Sequence, residues 1–158
     1  MADVKRIEEI AYETGRHALA DQEALVAGIR QRTGTLVAAH ALVASFVGAT
    51  TLTAVGLDAL AWVALTALTV GLILAAIVLA PWDLRFAFGA PDLYGMLAER
   101  AGSDTGSRSL GWLVEAGFGY QALRDANAPK VRWMSRLSGT LSALLVVQTL
   151  AWLVDLAR

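Results

Sequence analysis

Three long runs without charged side chains constrain this chain more than any other feature of its sequence. Residues 33–57, 59–82 and 137–154 contain no Asp, Glu, Lys or Arg. A helix that rises about 1.5 Å per residue crosses about 30 Å of hydrocarbon in roughly 17–25 residues. Each run is long enough, so the sequence predicts an all-α integral membrane protein with three transmembrane helices.

A soluble core of three buried helices is the alternative, because a buried helix is also apolar all round. We disfavour it, since most helices of a small soluble domain need a polar face and these runs carry no charged one. The chain is 56% hydrophobic, which is high for a soluble domain. About thirty polar, mixed-charge residues precede the first run, unlike a signal peptide, so we expect that run to stay in the mature protein.

Residues 1–32 are predicted to form an amphipathic cytoplasmic helix that continues into the first span. Apolar and small residues recur there at three- and four-residue spacing: Val4, Ile7, Ala11, Thr14, Ala18, Leu25 and Ile29. Asp21 or Gln22 falls where the stripe should continue. Two interpretations stay open, a coiled coil between subunits and an amphipathic helix packed on the chain's own cytoplasmic part.

The rest of the chain divides into a transmembrane hairpin, a cytoplasmic segment and a third span. Residues 33–82 form the hairpin, with spans at about 34–55 and 59–81 joined by a short turn. Residues 83–136 form a helical cytoplasmic segment, with a short helix from Pro91, a loop at 102–107, a second helix from Ser109, and a break at Asn127 to Pro129. Residues 137–158 form the third span and a short outer tail.

The orientation follows from the basic residues. Twelve of the 13 Lys and Arg residues lie in residues 1–32 and 83–136, and the hairpin turn has none. The positive-inside rule therefore predicts that both segments are cytoplasmic and that the C-terminus lies outside the membrane. If the chain is bacterial, this places it in the inner membrane as a multi-pass protein.

No catalytic motif is present, so we predict no enzyme activity, no cofactor and no metal site. The absence of Cys also excludes disulfides and thiolate ligands. His40 is an ionisable residue inside a span, which makes it a functional candidate. Polar and small residues of the first and third spans are candidates for lining a pore or packing helices: Thr33, His40, Ala44, Thr51, Ser138, Ser142 and Thr149. A neutral His40 that hydrogen bonds a neighbouring helix is the plainer alternative.

The cytoplasmic segment combines basic and aromatic residues, which together bind nucleotides through phosphate pairing and base stacking. The candidates for ligand binding are Arg85, Arg100, Arg108, Trp112, Tyr120 and Arg124. The positive-inside rule alone also accounts for the basic residues. The spans carry more small and hydroxyl-bearing faces than one three-helix contact uses, which favours a homo-oligomer.

This layout resembles the small transmembrane effectors of bacterial antiphage systems of the Pycsar, CBASS and Hailong types. The features that carry the resemblance are the charged helix entering the hairpin and the exit from it, at Gln31-Arg32-Thr33-Gly34-Thr35, Leu79-Ala80-Pro81-Trp82 and Arg85-Phe86-Ala87-Phe88. The resemblance implies a nucleotide or oligonucleotide signal on the cytoplasmic part and an oligomeric pore as the output.

The sequence therefore leads us to expect an oligomeric membrane effector or ion channel gated by a cytoplasmic signal. Its expected partners are the lipid bilayer, further copies of itself, a nucleotide or oligonucleotide and a soluble signalling partner. The alternative is a membrane scaffold or accessory subunit that anchors a soluble partner.

Overall fold

A computed structural model describes residues 7–88 and 111–158, with side chains at 9–88 and 114–158. The helices are α1 (Ile7–Val43), a π-helical turn (Ala44–Gly48), α2 (Ala49–Ala54), α3 (Ala59–Leu79) and α4 (Gly111–Leu156). All regular secondary structure in the described residues is helical, which confirms the all-α fold. The short helix expected from Pro91 and the loop at 102–107 lie outside the described residues.

Three helical stretches of the described chain are long and apolar enough to cross a membrane. They are Glu9–Ala54, Ala59–Leu79 and Val114–Leu156. The first and third also contain the charged residues that flank the apolar runs. The prediction of three helices long and apolar enough to span a membrane is therefore confirmed.

The chain divides into two compact units. The charged unit draws on Met1–Val26 and Asp83–Lys130, and the membrane unit on Ala27–Trp82 and Val131–Arg158.

In the membrane unit, α3 buries a face made almost entirely of small side chains. The buried positions are Ala61, Ala64, Ala67, Gly71, Ala75 and Val78. Small residues let helix backbones approach closely, which is how helices gain packing energy in lipid. Ala61 and Ala64 form a core cluster with Ala151 and Trp152 of α4. Large apolar side chains such as Phe46, Trp62 and Ile73 are exposed, as expected for a surface that faces lipid.

Both ends of α3 are closed by side chains. Asp58 caps the N-terminus by accepting the backbone N–H groups of Leu60 and Ala61 at 2.7 and 2.9 Å. At the C-terminus, the Trp82 indole N–H donates to the Ile77 carbonyl and the Arg30 guanidinium donates to the Ala80 carbonyl. Gly56 has a φ of 90° in the preceding turn, a conformation that glycine adopts without steric cost.

In the charged unit, the buried stripe of α1 differs from the predicted one. Gly15, Leu19, Gln22 and Val26 are buried, whereas Thr14 and Leu25 are exposed. Gln22 continues the stripe because its side-chain amide donates to the Arg124 carbonyl of α4 at 3.0 Å. The predicted stripe was therefore wrong at Thr14 and Leu25, because the buried face follows Gly15 and Gln22, whose partners lie on α4.

Gly15 sits where α1 crosses α4 at very close range. A Cβ atom at Gly15 would lie 2.5 Å from the Gly117 carbonyl oxygen, and one at Gly117 would lie 2.8 Å from the Ala11 carbonyl oxygen. These are backbone atoms, which cannot swing aside. The crossing therefore requires glycine in both helices.

The predicted break at Asn127 to Pro129 is wrong, because α4 continues through Pro129. Asn127 does not cap a helix. Its side chain instead pairs with the backbone of Arg85, accepting from the N–H at 3.4 Å and donating to the carbonyl at 2.9 Å. These bonds hold residues 83–88 on α4, so the amide that suggested a helix start is used for tertiary contact.

Candidate functional site: a polar seam in the membrane unit

Polar side chains in the interior of the membrane unit form the candidate site. We call them the polar seam, and each is at most 8% exposed: Thr33, His40, Thr51, Ser138, Gln148 and Asp155. Polar groups buried at membrane depth are costly unless they find partners, and they often mark functional positions. Three of them lie on α4 and two on α1, so the seam is built between helices that are distant in the sequence.

The first contact of the seam joins the hydroxyl groups of Thr33 and Ser138, whose oxygen atoms lie 3.4 Å apart. Thr33 also donates to the Ile29 carbonyl at 2.9 Å, one turn earlier in its own helix. Its hydroxyl is therefore satisfied within α1 even if the contact with Ser138 is lost.

The second contact is a reciprocal pair between His40 and Gln148. His40 Nδ1 hydrogen bonds Gln148 Oε1, and the Gln148 side-chain amide donates to the His40 carbonyl at 3.2 Å. The two bonds fix the orientation of the carboxamide, because the flipped amide would set its oxygen against the carbonyl. Nδ1 must then carry a proton, since an amide oxygen only accepts.

The other ring nitrogen of His40 also faces an acceptor. Nε2 lies 3.3 Å from the Leu141 carbonyl oxygen, and the ring packs against Gly71, where an added Cβ would lie 3.2 Å from Nε2. A neutral ring with its proton on Nδ1 leaves Nε2 without a donor, whereas a second proton would have the Leu141 oxygen as its partner. No charged side chain occurs in the three uncharged runs that surround the ring.

The end of the seam beside the hairpin turn holds Thr51, Asp155 and the capping residue Asp58. Thr51 donates to the Val47 carbonyl in its own helix at 2.8 Å. The pKa of Asp58 lies below its ordinary value, first because it accepts the Ala61 N–H; the Leu60 N–H and the nearby Arg158 act in the same direction, against desolvation.

The other residues predicted for a pore or helix contact lie at the edge of the seam. Ala44 is half-buried, Ser142 is exposed and donates to the Ser138 carbonyl, and Thr149 is half-buried and donates to the Leu145 carbonyl. Gln148 and Asp155 were not among the predicted residues, and both point into the unit. A seven-residue spacing carries the signal that was missed, because Met134, Leu141, Gln148 and Asp155 are all fully buried.

The predicted ligand-binding residues belong to the charged unit. Arg85 and Arg124 are exposed. Tyr120 packs edge-on against Tyr12 and at a tilt against Phe88, with ring centroids 5.7 and 4.8 Å away. Burial raises the pKa of Tyr120 above its ordinary value, and its contact with Tyr12 adds to this effect. Arg100 and Arg108 lie outside the described residues, as does the side chain of Trp112.

The described residues contain no group of three His, Asp or Glu side chains that could hold a metal ion. Comparison with known proteins gives no match: no protein-family model, no curated protein and no solved structure is significantly similar to this chain.

Proposed function

We propose that this protein is an oligomeric membrane effector or ion channel of the cytoplasmic membrane, gated by a nucleotide or oligonucleotide signal received by residues 83–136. The observation that carries the proposal is the polar seam. A membrane unit needs no buried His, Gln and Asp to hold three helices together, since small apolar residues do so at lower cost. The seam therefore favours a role in conduction or switching over simple anchoring.

The contacts of the seam can be exchanged for water at low cost. Thr33 and Thr51 keep a bond to their own backbone when the helices separate. The imidazole ring of His40 can accept or donate on either nitrogen. When the signal separates the helices, these side chains would line a hydrated path, and the apolar side chains around them would keep it closed at rest.

Conductance in planar bilayers tests this proposal, with the full-length protein and a panel of cyclic mono-, di- and trinucleotides as the signal. His40→Leu should suppress current because an apolar constriction loses its water. The matched control is His17→Leu, which replaces the exposed histidine of the charged unit and should leave currents unchanged.

A second control distinguishes the loss of a hydroxyl group in the seam from the loss of any threonine hydroxyl group in the same helical stretch. Thr33→Val should reduce current, whereas Thr50→Val should not, because Thr50 is exposed and bonds only to its own helix. All variants must reach the membrane at wild-type levels. Wild-type currents from His40→Leu and Thr33→Val would overturn the proposal for the seam, and no current with any nucleotide would favour the scaffold alternative.

Oligomerisation is tested on an exposed helix face of the membrane unit. Gly48 and Gly71 fit the close-packing pattern but are used inside the unit, against Trp152 and His40. Ala41, Ser45 and Ala49 repeat the small-residue spacing on an exposed face. Ser45→Leu should lower the oligomer mass in native mass spectrometry, and a monomeric wild-type protein would refute oligomerisation.

A further inference from the structure

Two carboxyl groups meet at the end of the membrane unit where the hairpin turn and the last turn of α4 come together. Arg158 lies beside both residues, because its guanidinium faces the Asp58 carboxylate and its backbone N–H donates to the Asp155 carbonyl at 3.4 Å, and the two carboxyl groups are close enough to influence each other's charge. Asp155 is fully buried, at 0% exposure. No N–H or O–H donor among the described residues reaches either of its carboxyl oxygens. Its carboxyl group therefore lies close to another acid without a donor of its own.

The surroundings of Asp58 favour its ionised form. One of its oxygens accepts two backbone N–H groups at the N-terminus of α3, where the helix dipole is positive. Its other oxygen lies 3.9 Å from the Arg158 guanidinium. Both contacts favour the anion.

Asp155 has less support, because the Arg158 charge acts on it as well but no N–H group donates to its carboxyl oxygens. Two ionised carboxylates in contact repel each other, and burial strengthens the repulsion because little water screens it. One proton on Asp155 removes the repulsion and supplies the missing donor. The result is an O–H···O⁻ hydrogen bond, one of the stronger kinds found in proteins.

We propose that Asp155 and Asp58 form a proton-binding site, in which one proton on Asp155 bridges the two carboxyl groups and fastens the end of α4 to the hairpin turn. The ligand is a proton taken from the side of the membrane that the turn faces. Residues 33–82 and 137–158 contain four titratable or charged side chains, namely His40, Asp58, Asp155 and Arg158. His40 already bonds Gln148, so the other three form the site.

The sign of the pH dependence follows from this arrangement. The folded contact needs the proton, so it is intact at low pH and is lost when rising pH removes that proton. Loss of the proton restores two facing anions beside a single cation. The end of α4 then separates from the turn, and water enters to solvate Asp155.

Infrared spectroscopy of the full chain in nanodiscs tests the site directly. The wild-type protein should show the C=O stretch of one protonated carboxylic acid at pH values where exposed carboxyl groups are already ionised, and the band should disappear as the pH rises further. Asp155→Asn should lack the band, because it removes the acid but keeps a donor. The matched control Asp21→Asn replaces an exposed aspartate of the charged unit and should retain the band.

A thermal measurement gives a second readout that does not depend on band assignment. The wild-type melting temperature should fall across the pH range in which the band is lost, and Asp155→Asn should not follow that fall. Absence of a protonated carboxyl band at pH values where exposed carboxyl groups are ionised, or its persistence in Asp155→Asn, would overturn the proposal. Stabilisation of the wild type by Na⁺ or Mg²⁺ that Asp155→Asn abolishes would identify a metal site and overturn it equally.

Discussion

The pairing of His40 with Gln148 makes a quantitative prediction about the stability of the membrane unit. In Gln148→Leu, His40 Nδ1 loses its acceptor, and a shift of the proton to Nε2, which faces the Leu141 carbonyl, would leave Nδ1 as an acceptor without a donor. A buried donor or acceptor left without a partner costs about 1–3 kcal/mol. His40→Leu leaves Gln148 Oε1 without a donor, while the Gln148 amide N–H keeps its bond to the backbone carbonyl of residue 40. We therefore expect each single variant to lower the free energy of unfolding by about 1–3 kcal/mol.

The double variant should be much less destabilised than the sum of the two singles. When both polar groups are removed, no buried donor or acceptor is orphaned, and two leucines fit an apolar environment. Side-chain hydrogen bonds measured inside membrane proteins average about 0.6 kcal/mol, with a maximum near 1.7 kcal/mol. Only the bond between Nδ1 and Oε1 depends on both side chains, because the Gln148 amide donates to the backbone carbonyl of His40, so we expect a coupling energy of about 0.6–1.7 kcal/mol.

The coupling energy is measured by reversible unfolding of the wild type, the two single variants and the double variant in mixed micelles. Circular dichroism of the helices follows the unfolding. A control cycle pairs Gln148→Leu with Thr50→Val, whose hydroxyl bonds only within its own helix. The control should be additive within about 0.5 kcal/mol. Equal additivity in the cycle between His40 and Gln148 would refute the reasoning, because it would mean that neither group depends on the other.

Further predictions concern the charged unit and the topology. Gly15→Ala should destabilise the protein by about 1–3 kcal/mol because its Cβ meets backbone atoms, whereas Gly28→Ala meets nothing within 4 Å and should be neutral or stabilising in chemical denaturation. Asn127→Ala should free residues 83–88 from α4 and increase their proteolysis, and an unchanged cleavage rate would contradict the role of its two bonds to Arg85. Tyr120 should ionise above its ordinary pKa in an ultraviolet absorbance titration, and Tyr12→Phe should lower that pKa by removing the neighbouring hydroxyl. Cysteine labels at Ala2 and Ser107 should be protected from an impermeant reagent in intact cells and labels at Gly56 and Arg158 should react; labelling of Ser107 from outside would reverse the orientation.

The spans and the hairpin were predictable because the bilayer imposes a length that uncharged runs reveal directly. The inward face of the first span was also predictable, since Thr33, His40 and Thr51 fall on one side of a helix. All three are buried. A π-helical turn at Ala44–Gly48 lies between His40 and Thr51 without carrying them off that face.

The buried residues that the sequence pattern missed have hydrogen-bond partners that lie far away in the sequence. Gln22 and Gln148 are buried because each finds a hydrogen-bond partner about one hundred residues away, at Arg124 and His40. A search for buried positions by the spacing of apolar residues does not identify either glutamine. Pro129 suggested a break for the same local reason, but the helix on either side is held by packing that the local sequence does not report.

The capped ends of α3 have a consequence for the membrane around the protein. Its 21 residues span roughly 31 Å, close to the hydrocarbon thickness of an average bilayer. Asp58 closes one end, and Arg30 and Trp82 close the other, so α3 can neither fray nor lengthen without losing these bonds. A thinner bilayer must therefore tilt the helix, and a thicker bilayer must become thinner around it, at a cost of fractions of a kcal/mol per Å. We therefore expect the length of the lipid chains to change the tilt of α3 and the free energy of the protein in the membrane, even at constant headgroup charge and pH.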